Sequence, residues 1–230
     1  MITYKIHLIR HGKTPESEQG VYLGRTDLPL SAEGKKLLTK MAQQLCYPPA
    51  QLVYAGPLRR CVQTAELLYP DRLILPSDDF TECDFGEFTG KTIPQLKDLP
   101  AYQKWIEGGF EAAPPGGESG TALLARVLDG LQAVFGRMMA ERLTDTAVIT
   151  HGGVIMSLLA ACGFPKRRMS QWATDFGCGF TILITPQMWM RDRAFEIYAE
   201  IPWRGTDCKF ADDFDILDGF HYEEKPPLQT

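Results

Sequence analysis

The chain has 230 residues, 44% of them hydrophobic and 23% charged, which suits a soluble globular protein of one large domain or two small ones. Its net charge of −5 argues against a nucleic-acid or anionic-membrane surface, but leaves room for a small anion in a locally basic pocket. The longest membrane-like stretch, around Val154 to Cys162, falls far short of the roughly 20 residues a span needs.

Taken in chain order, residues 4–9 form the first strand. It is apolar at Ile6, Leu8 and Ile9, and ends in Arg10, His11 and Gly12. Thr14 to Arg25 reads as a long loop. Ser31 caps a helix whose apolar stripe is Leu37, Leu38, Met41 and Leu45, with Pro48 and Pro49 expected to end it. A short strand, Leu52 to Ala55, leads through Gly56 and Pro57 into a helix that runs to about Leu68, with Arg59 in its first turn. Leu73 to Leu75 is a further strand. Thr81 to Gly90 mixes acids, aromatics and glycines, and reads as a functional loop. Residues 92–99 and 101–107 suggest two short helices split by Pro100, and Ala113 to Gly117 a rigid loop.

A long helix is expected from about Glu118 to Leu143, with core residues Leu124, Val127, Leu128, Leu131, Val134, Phe135 and Met138. The strand Ala147 to Thr150 follows, then His151, Gly152 and Gly153, then a helix from Val154 to Cys162. Gly179 to Thr185 and Phe195 to Ile201 read as strands that pair across a turn at residues 186–193. No repeat or linker divides the chain, so one domain is expected over residues 1–230. Residues 203–230 form a C-terminal extension, with Phe210, Phe214, Leu217 and Phe220 as candidates for docking on the body. The fold class is α/β, three layers with a mainly parallel central sheet.

The six cysteines form no CxxC pair and read as free, mostly buried thiols of a reducing compartment. No basic region followed by a long apolar run opens the chain, so a cytoplasmic location without a signal peptide is expected. His7, within the first strand, reads as structural. His11 and His151 differ, because each leaves an apolar strand and precedes a glycine. The two exits are expected to face one pocket.

The close ligand spacing of a zinc motif is absent, as are GxSxG, GxGxxG and GxxxxGK[ST]. No cofactor and no metal is therefore expected. Two histidines with arginines at hand suit a phosphate. Guanidinium gives multidentate hydrogen bonds to phosphoryl oxygens, and neutral imidazole can attack phosphorus.

The blocks LIRHGKT (8–14), YLGRTDLPLSAEG (22–34), AGPLRRCVQTA (55–65), ECDFGEFTGKT (82–92), PGGES (115–119) and ITHGGVI (149–155) occur in that order. Together they resemble the histidine phosphatase superfamily, which includes the cofactor-dependent phosphoglycerate mutases. The third block is close to the family's SxPLxRAxQTA. The resemblance implies the phosphoglycerate mutase-like fold, with His11 as the nucleophile that becomes phosphohistidine. It implies Arg10 and Arg59 as phosphate clamps, His151 as the second pocket histidine, in contact with the phosphoryl group, and Glu82 as the acid for the leaving oxygen. Arg60 is read as a solvated neighbour. Ser17 stands where the family often has asparagine, and is a phosphate-binding candidate of shorter reach. ECDFGEF differs from the ERHYG-type segment of the glycolytic mutases. The stretch from Glu82 to Pro115 is short for a mutase, and the RHGxRxP of acid phosphatases is absent. YLGRTDLPLS leans towards small-molecule phosphatases, including α-ribazole phosphatase. The expectation is a metal-independent phosphomonoesterase for a small phosphorylated metabolite. A mutase, or a phosphate-dependent binding module without turnover, is the alternative.

Overall fold

The computed structural model describes residues 2–203. The elements are β1 (Tyr4–Arg10), α1 (Ala32–Gln44), β2 (Leu52–Ala55), α2 (Arg59–Leu68), β3 (Ile74–Pro76), α3 (Ile93–Leu96), α4 (Pro100–Glu107), α5 (Gly120–Glu141), β4 (Asp145–Thr150), α6 (Gly152–Cys162), β5 (Gly163–Phe164), β6 (Gly179–Ile184), α7 (Pro186–Asp192) and β7 (Phe195–Ile201). The strands form one sheet in the order β3-β2-β4-β1-β6-β7-β5. β3, β2, β4 and β1 pair in parallel, and among the described strands β6 alone runs against the rest. The mainly parallel sheet expected from the sequence is thus present.

Strand periodicity assigns the two faces. Ile6, Leu8 and Val148 pack against Val127, Leu131 and Phe135 of α5, Leu158 of α6 and Trp189 of α7. Ile9, Ala147 and Ile149 point the other way, to Leu38 of α1 and to Cys61, Ala65 and Leu68 of α2. Helices on both faces of one sheet make three layers. A smaller cluster of Phe88, Leu96 and Tyr102, flanked by Tyr22, Phe85 and Trp105, adjoins the first through Phe85 and holds α3 and α4 as a cap.

Several boundaries follow local chemistry. The Ser31 hydroxyl accepts the Gly34 N–H and starts α1, a contact of the kind whose loss costs about 1 kcal/mol. α1 ends at Gln44, before the prolines, because Leu45 turns extended and the Cys46 carbonyl accepts the Trp203 N–H at 2.9 Å. The two short helices expected here are present, and Pro100 opens the second, since its fixed φ and missing N–H suit a first turn. The stretch 186–193, expected as a turn, is the helix α7: Pro186 opens it and Thr185 accepts the Met188 N–H. Gly130 permits α5 to approach the 78–80 turn, where a Cβ would stand 2.5 Å from that of Asp79.

Cys61, Cys83, Cys162 and Cys178 are free, as expected. Cys46 is in a disulfide, against the expectation, and Cys208 lies outside the described residues. Of the extension 203–230 only Trp203 is described, so the docking expected of Phe210, Phe214, Leu217 and Phe220 lies outside the described residues. Among the described residues no helix is long and apolar enough to cross a membrane.

Candidate active site

The β1–β4 register brings the two histidines together. Arg10 is level with Thr150, and the His11 N–H continues the ladder by donating to the Thr150 carbonyl at 2.9 Å. The next residue on each strand is therefore His11 and His151, with ring centroids 5.0 Å apart. His151 also precedes α6, so the free N–H groups of that helix open towards the same place.

The His11 ring is oriented by its own exit loop. Nδ1–H donates to the Gly12 carbonyl at 2.7 Å. That leaves Nε2 as the nitrogen with the lone pair, and it accepts from Nε of Arg60 at 3.2 Å. Burial first, and then the Arg60 cation, hold the imidazolium well below the usual histidine range, against the opposing pull of the Gly12 carbonyl. His11 is thus neutral near pH 7. His151 is fully buried and is likewise held neutral, by burial and by His11 and Arg60. Its Nε2 lies 3.4 Å from Sγ of Cys61, whose thiol burial pushes far up.

The arginine expectation needs correction. Arg59 faces away from the pocket: its side chain is 57% exposed and paired with Asp27, Nε to Oδ2 at 3.1 Å. It also donates Nη2–H to the Asp27 carbonyl, and its backbone N–H goes to Oδ1. Arg60, read from the sequence as solvated, is 1% exposed and reaches His11. Its Nη1 and Nη2 donate to the carbonyls of Thr26 at 2.6 Å and Gly24 at 2.7 Å, which fix the fork. Residues adjacent on a helix diverge by about 100°, so the edge of the buried face can fall between Arg59 and Arg60. The buried face of α2 is Arg60, Cys61, Thr64, Ala65 and Leu68. Thr64 ties this face to the exit loop by accepting the Gly12 N–H at 2.9 Å.

Arg10 lies beside His11, with Nη1 donating to the Thr174 carbonyl at 2.6 Å and the guanidinium 3.8 Å above the Phe176 ring. Ser17 lines the cavity, but its hydroxyl proton goes to the Thr14 carbonyl at 2.9 Å and its oxygen accepts the Thr14 N–H. The expected serine–phosphate contact therefore competes with a closed local turn. Glu82 stands opposite, with Oε1 accepting the Cys83 N–H at 3.0 Å and Oε2 the Gly153 N–H at 3.4 Å. Burial raises its carboxyl above the usual range, outweighing these bonds and the two arginines. Gly153 makes this approach possible, because a Cβ there would lie 2.6 Å from Oε1 of Glu82.

The cavity has a volume of about 290 Å³. Arg10, His11, Arg60 and Glu82 line its polar end, and Tyr22, Phe85, Ile93, Met156 and Phe176 form much of the remainder. His151 lies one layer behind, against His11. Tyr22 and Phe85 fall inside the sequence blocks quoted above, although no role was read from them. Phe176 follows no pattern that sequence alone could use. Among the described residues no group of three or more His, Cys, Asp or Glu side chains could hold a metal ion.

Comparison with known proteins gives the family. Residues 6–192 match the family described as histidine phosphatase superfamily (branch 1). The chain is 29% identical over 182 residues to the adenosylcobalamin/alpha-ribazole phosphatase of Escherichia coli K12, covering 76% of this chain and 87% of that protein. It is also 29% identical over 178 residues to phosphoserine phosphatase 1 of Hydrogenobacter thermophilus, covering 76% and 82%. The alpha-ribazole phosphatase structure from Shigella flexneri superposes with a TM-score of 0.70 at 24% identity, covering 85% of this chain and 95% of that one. With its family pattern spread across the sheet, α2 and α6, the chain belongs to the histidine phosphatase superfamily.

Proposed function

We propose that the protein is a phosphomonoesterase that acts on a small phosphorylated metabolite through a phosphohistidine at Nε2 of His11. One observation carries this reading: Nδ1 of His11 is committed to the Gly12 carbonyl, so the lone pair of a neutral imidazole lies beside Arg60. Nε2 attacks phosphorus in line, and the bond from phosphorus to the ester oxygen breaks. Arg10 and Arg60 stabilise the charge that builds on the phosphoryl oxygens, and His151 backs the His11 ring from the inner side, one layer behind the cavity, instead of meeting the phosphoryl group as the resemblance implies. Glu82, its carboxyl raised by burial, is protonated at the start and gives its proton to the departing alkoxide. The carboxylate so formed takes a proton from water as that water attacks the phosphohistidine. Phosphate leaves, and His11 and Glu82 return to their first states. The charge balance at the cavity, two guanidiniums and one carboxyl, favours an anion over a divalent cation, so hydrolysis without metal is part of the proposal.

For the substrate itself, α-ribazole 5'-phosphate is the first compound to try. A relative carries that activity in its name, and the aromatic wall of Tyr22, Phe85 and Phe176 suits a planar group beside the phosphate. Phosphoserine belongs in the same panel. The mechanism is tested by rapid quench with a labelled monoester. An acid-labile, base-stable phosphoenzyme should form in the native protein, while His11→Ala should lose both label and turnover. Label or full activity in His11→Ala would rule the nucleophile out.

A further inference from the structure

The carboxyl of Glu82 is carried by neither a strand nor a helix. It hangs from the irregular stretch between the 78–80 turn and Gly86, and such a stretch holds a catalytic geometry only if neighbours fix it. One side chain from α5 ties the stretch down. Nη2 of Arg126 donates to the backbone carbonyl of Glu82 at 3.0 Å, and Nη1 to that of Asp79 at 2.9 Å. The same guanidinium is gripped by Glu118, Nε to Oε1 at 2.8 Å and Nη2 to Oε2 at 2.9 Å. Glu118 closes the circuit by accepting the Asp84 N–H at 3.4 Å. Residues on both sides of Glu82, and Glu82 itself, are thereby fixed to the start of α5. The pair is largely shielded, with side-chain exposures of 20% for Arg126 and 11% for Glu118. Burial of Glu118 works against its charge, yet Arg126, and after it Arg25, hold its carboxyl below the usual range.

We propose that Arg126, gripped by Glu118, is a positioning residue that aims the Glu82 carboxyl into the cavity through the Glu82 backbone. The proposal rests on Glu82 being the acid and base of the reaction. Arg126 is not among the residues lining the cavity, so its effect runs through Glu82.

The experiment is a double-substitution cycle with Arg126→Met and Glu82→Gln, read on an alkyl monoester and on p-nitrophenyl phosphate, whose leaving group needs no proton. Arg126→Met should lower kcat for the alkyl ester by about 10- to 100-fold, within the range for loss of acid–base or supporting-shell function. The loss should be smaller on the aryl ester. In the Glu82→Gln background the same substitution should cost less than about threefold, since coupled residues do not add. Freed from its tether, the Glu82 carboxyl changes its surroundings, and the substitution also removes a cation beside it, so the alkaline fall in kcat/KM should move from its native position. Glu118→Gln, which keeps the shape and weakens the grip, should give the same pattern with a smaller amplitude. It decides the matter where Arg126→Met does not fold. Equal loss on both esters, full multiplication with Glu82→Gln, or an unmoved pH profile overturns the positioning role. Full activity in Glu82→Gln overturns the acid–base reading, and this proposal with it.

Discussion

Arg59 and Arg60 share a chemistry and differ only in azimuth, and that difference separates surface from site. The Arg59–Asp27 pair is exposed on both sides, at 57% and 50%, and a pair of this kind is worth about 0–1 kcal/mol. Arg60 is buried, shares a hydrogen bond with Nε2 of His11 and is fixed by two carbonyls. Arg59→Ala should leave kcat/KM within about threefold of the native value, as surface substitutions away from a site do. Arg60→Ala should lose about 100-fold or more, the scale for removing a preorganised donor. Arg60→Lys keeps the charge without the fork and should recover only part of the loss. Steady-state kinetics with melting curves on all three variants decide the point, and a reversed order would return the clamp to Arg59. The inward-facing arginine was within reach of the sequence. SxPLxRAxQTA laid on AGPLRRCVQTA puts its arginine at position 60, and the small or apolar spacing of Cys61, Ala65 and Leu68 puts 60 on the buried face. Placing the motif's arginine at Arg59 sets it one position early, against both the spelling of the pattern and the helical phase.

At the scale of elements, strands were legible where burial forces an apolar run, as in β1, β2 and β4. Helices were legible where a cap and a 3.6-residue stripe coincide, as in α1 and α5. β5 has only two residues and leaves no period to read. α7 stands where a turn is expected, because Thr185 caps a helix that Pro186 opens. His7 was read as structural, and its surroundings agree: it joins β1 to β6 through Nδ1 and Oγ1 of Thr181 at 3.0 Å, with no exposure. Burial, opposed by Asp145, holds its pKa down at about 4. The folded state therefore prefers the neutral ring, while the unfolded chain takes up a proton near the ordinary value of 6.5. This contribution is fully present above the unfolded pKa and is lost as pH falls from 6.5 towards 4. By pH 5 the loss from His7 alone should be about 2 kcal/mol. Denaturant titrations at pH 7.5 and 5 should show a smaller drop in His7→Asn than in the native protein, by about that amount. An identical drop in both would mean that His7 does not carry this pH dependence.

For the whole molecule, the ordered blocks made the fold and the facing histidines legible, because they lie on the strands and helix starts that the sheet aligns. The cavity walls were less so. Thr174 and Phe176 come from a connection with no motif, and tertiary folding alone sets them against Arg10. Those walls bear on the choice between hydrolysis and mutase transfer, since both pass through phosphohistidine. A mutase must retain a doubly phosphorylated intermediate away from water, which takes cationic contacts beyond the first phosphate clamp. Here the cap presents Tyr22, Phe85 and Ile93 to the cavity, and the cationic side chains lining it are Arg10 and Arg60. Lys91, Lys97 and Lys104 belong to the cap segment but are not among the lining residues. The molecule as a whole carries −5, so its long-range field does not favour retention of an anionic product. The phosphoenzyme should therefore lose its phosphate to water. With 3-phosphoglycerate and a trace of 2,3-bisphosphoglycerate, isomer exchange should be slower than phosphate release from the best monoester in the panel. Following 2-phosphoglycerate and free phosphate separately in one time course makes the comparison direct. Exchange that outruns release from every monoester tried would make the protein a mutase, and the second phosphate would then have to be held by groups outside the present lining.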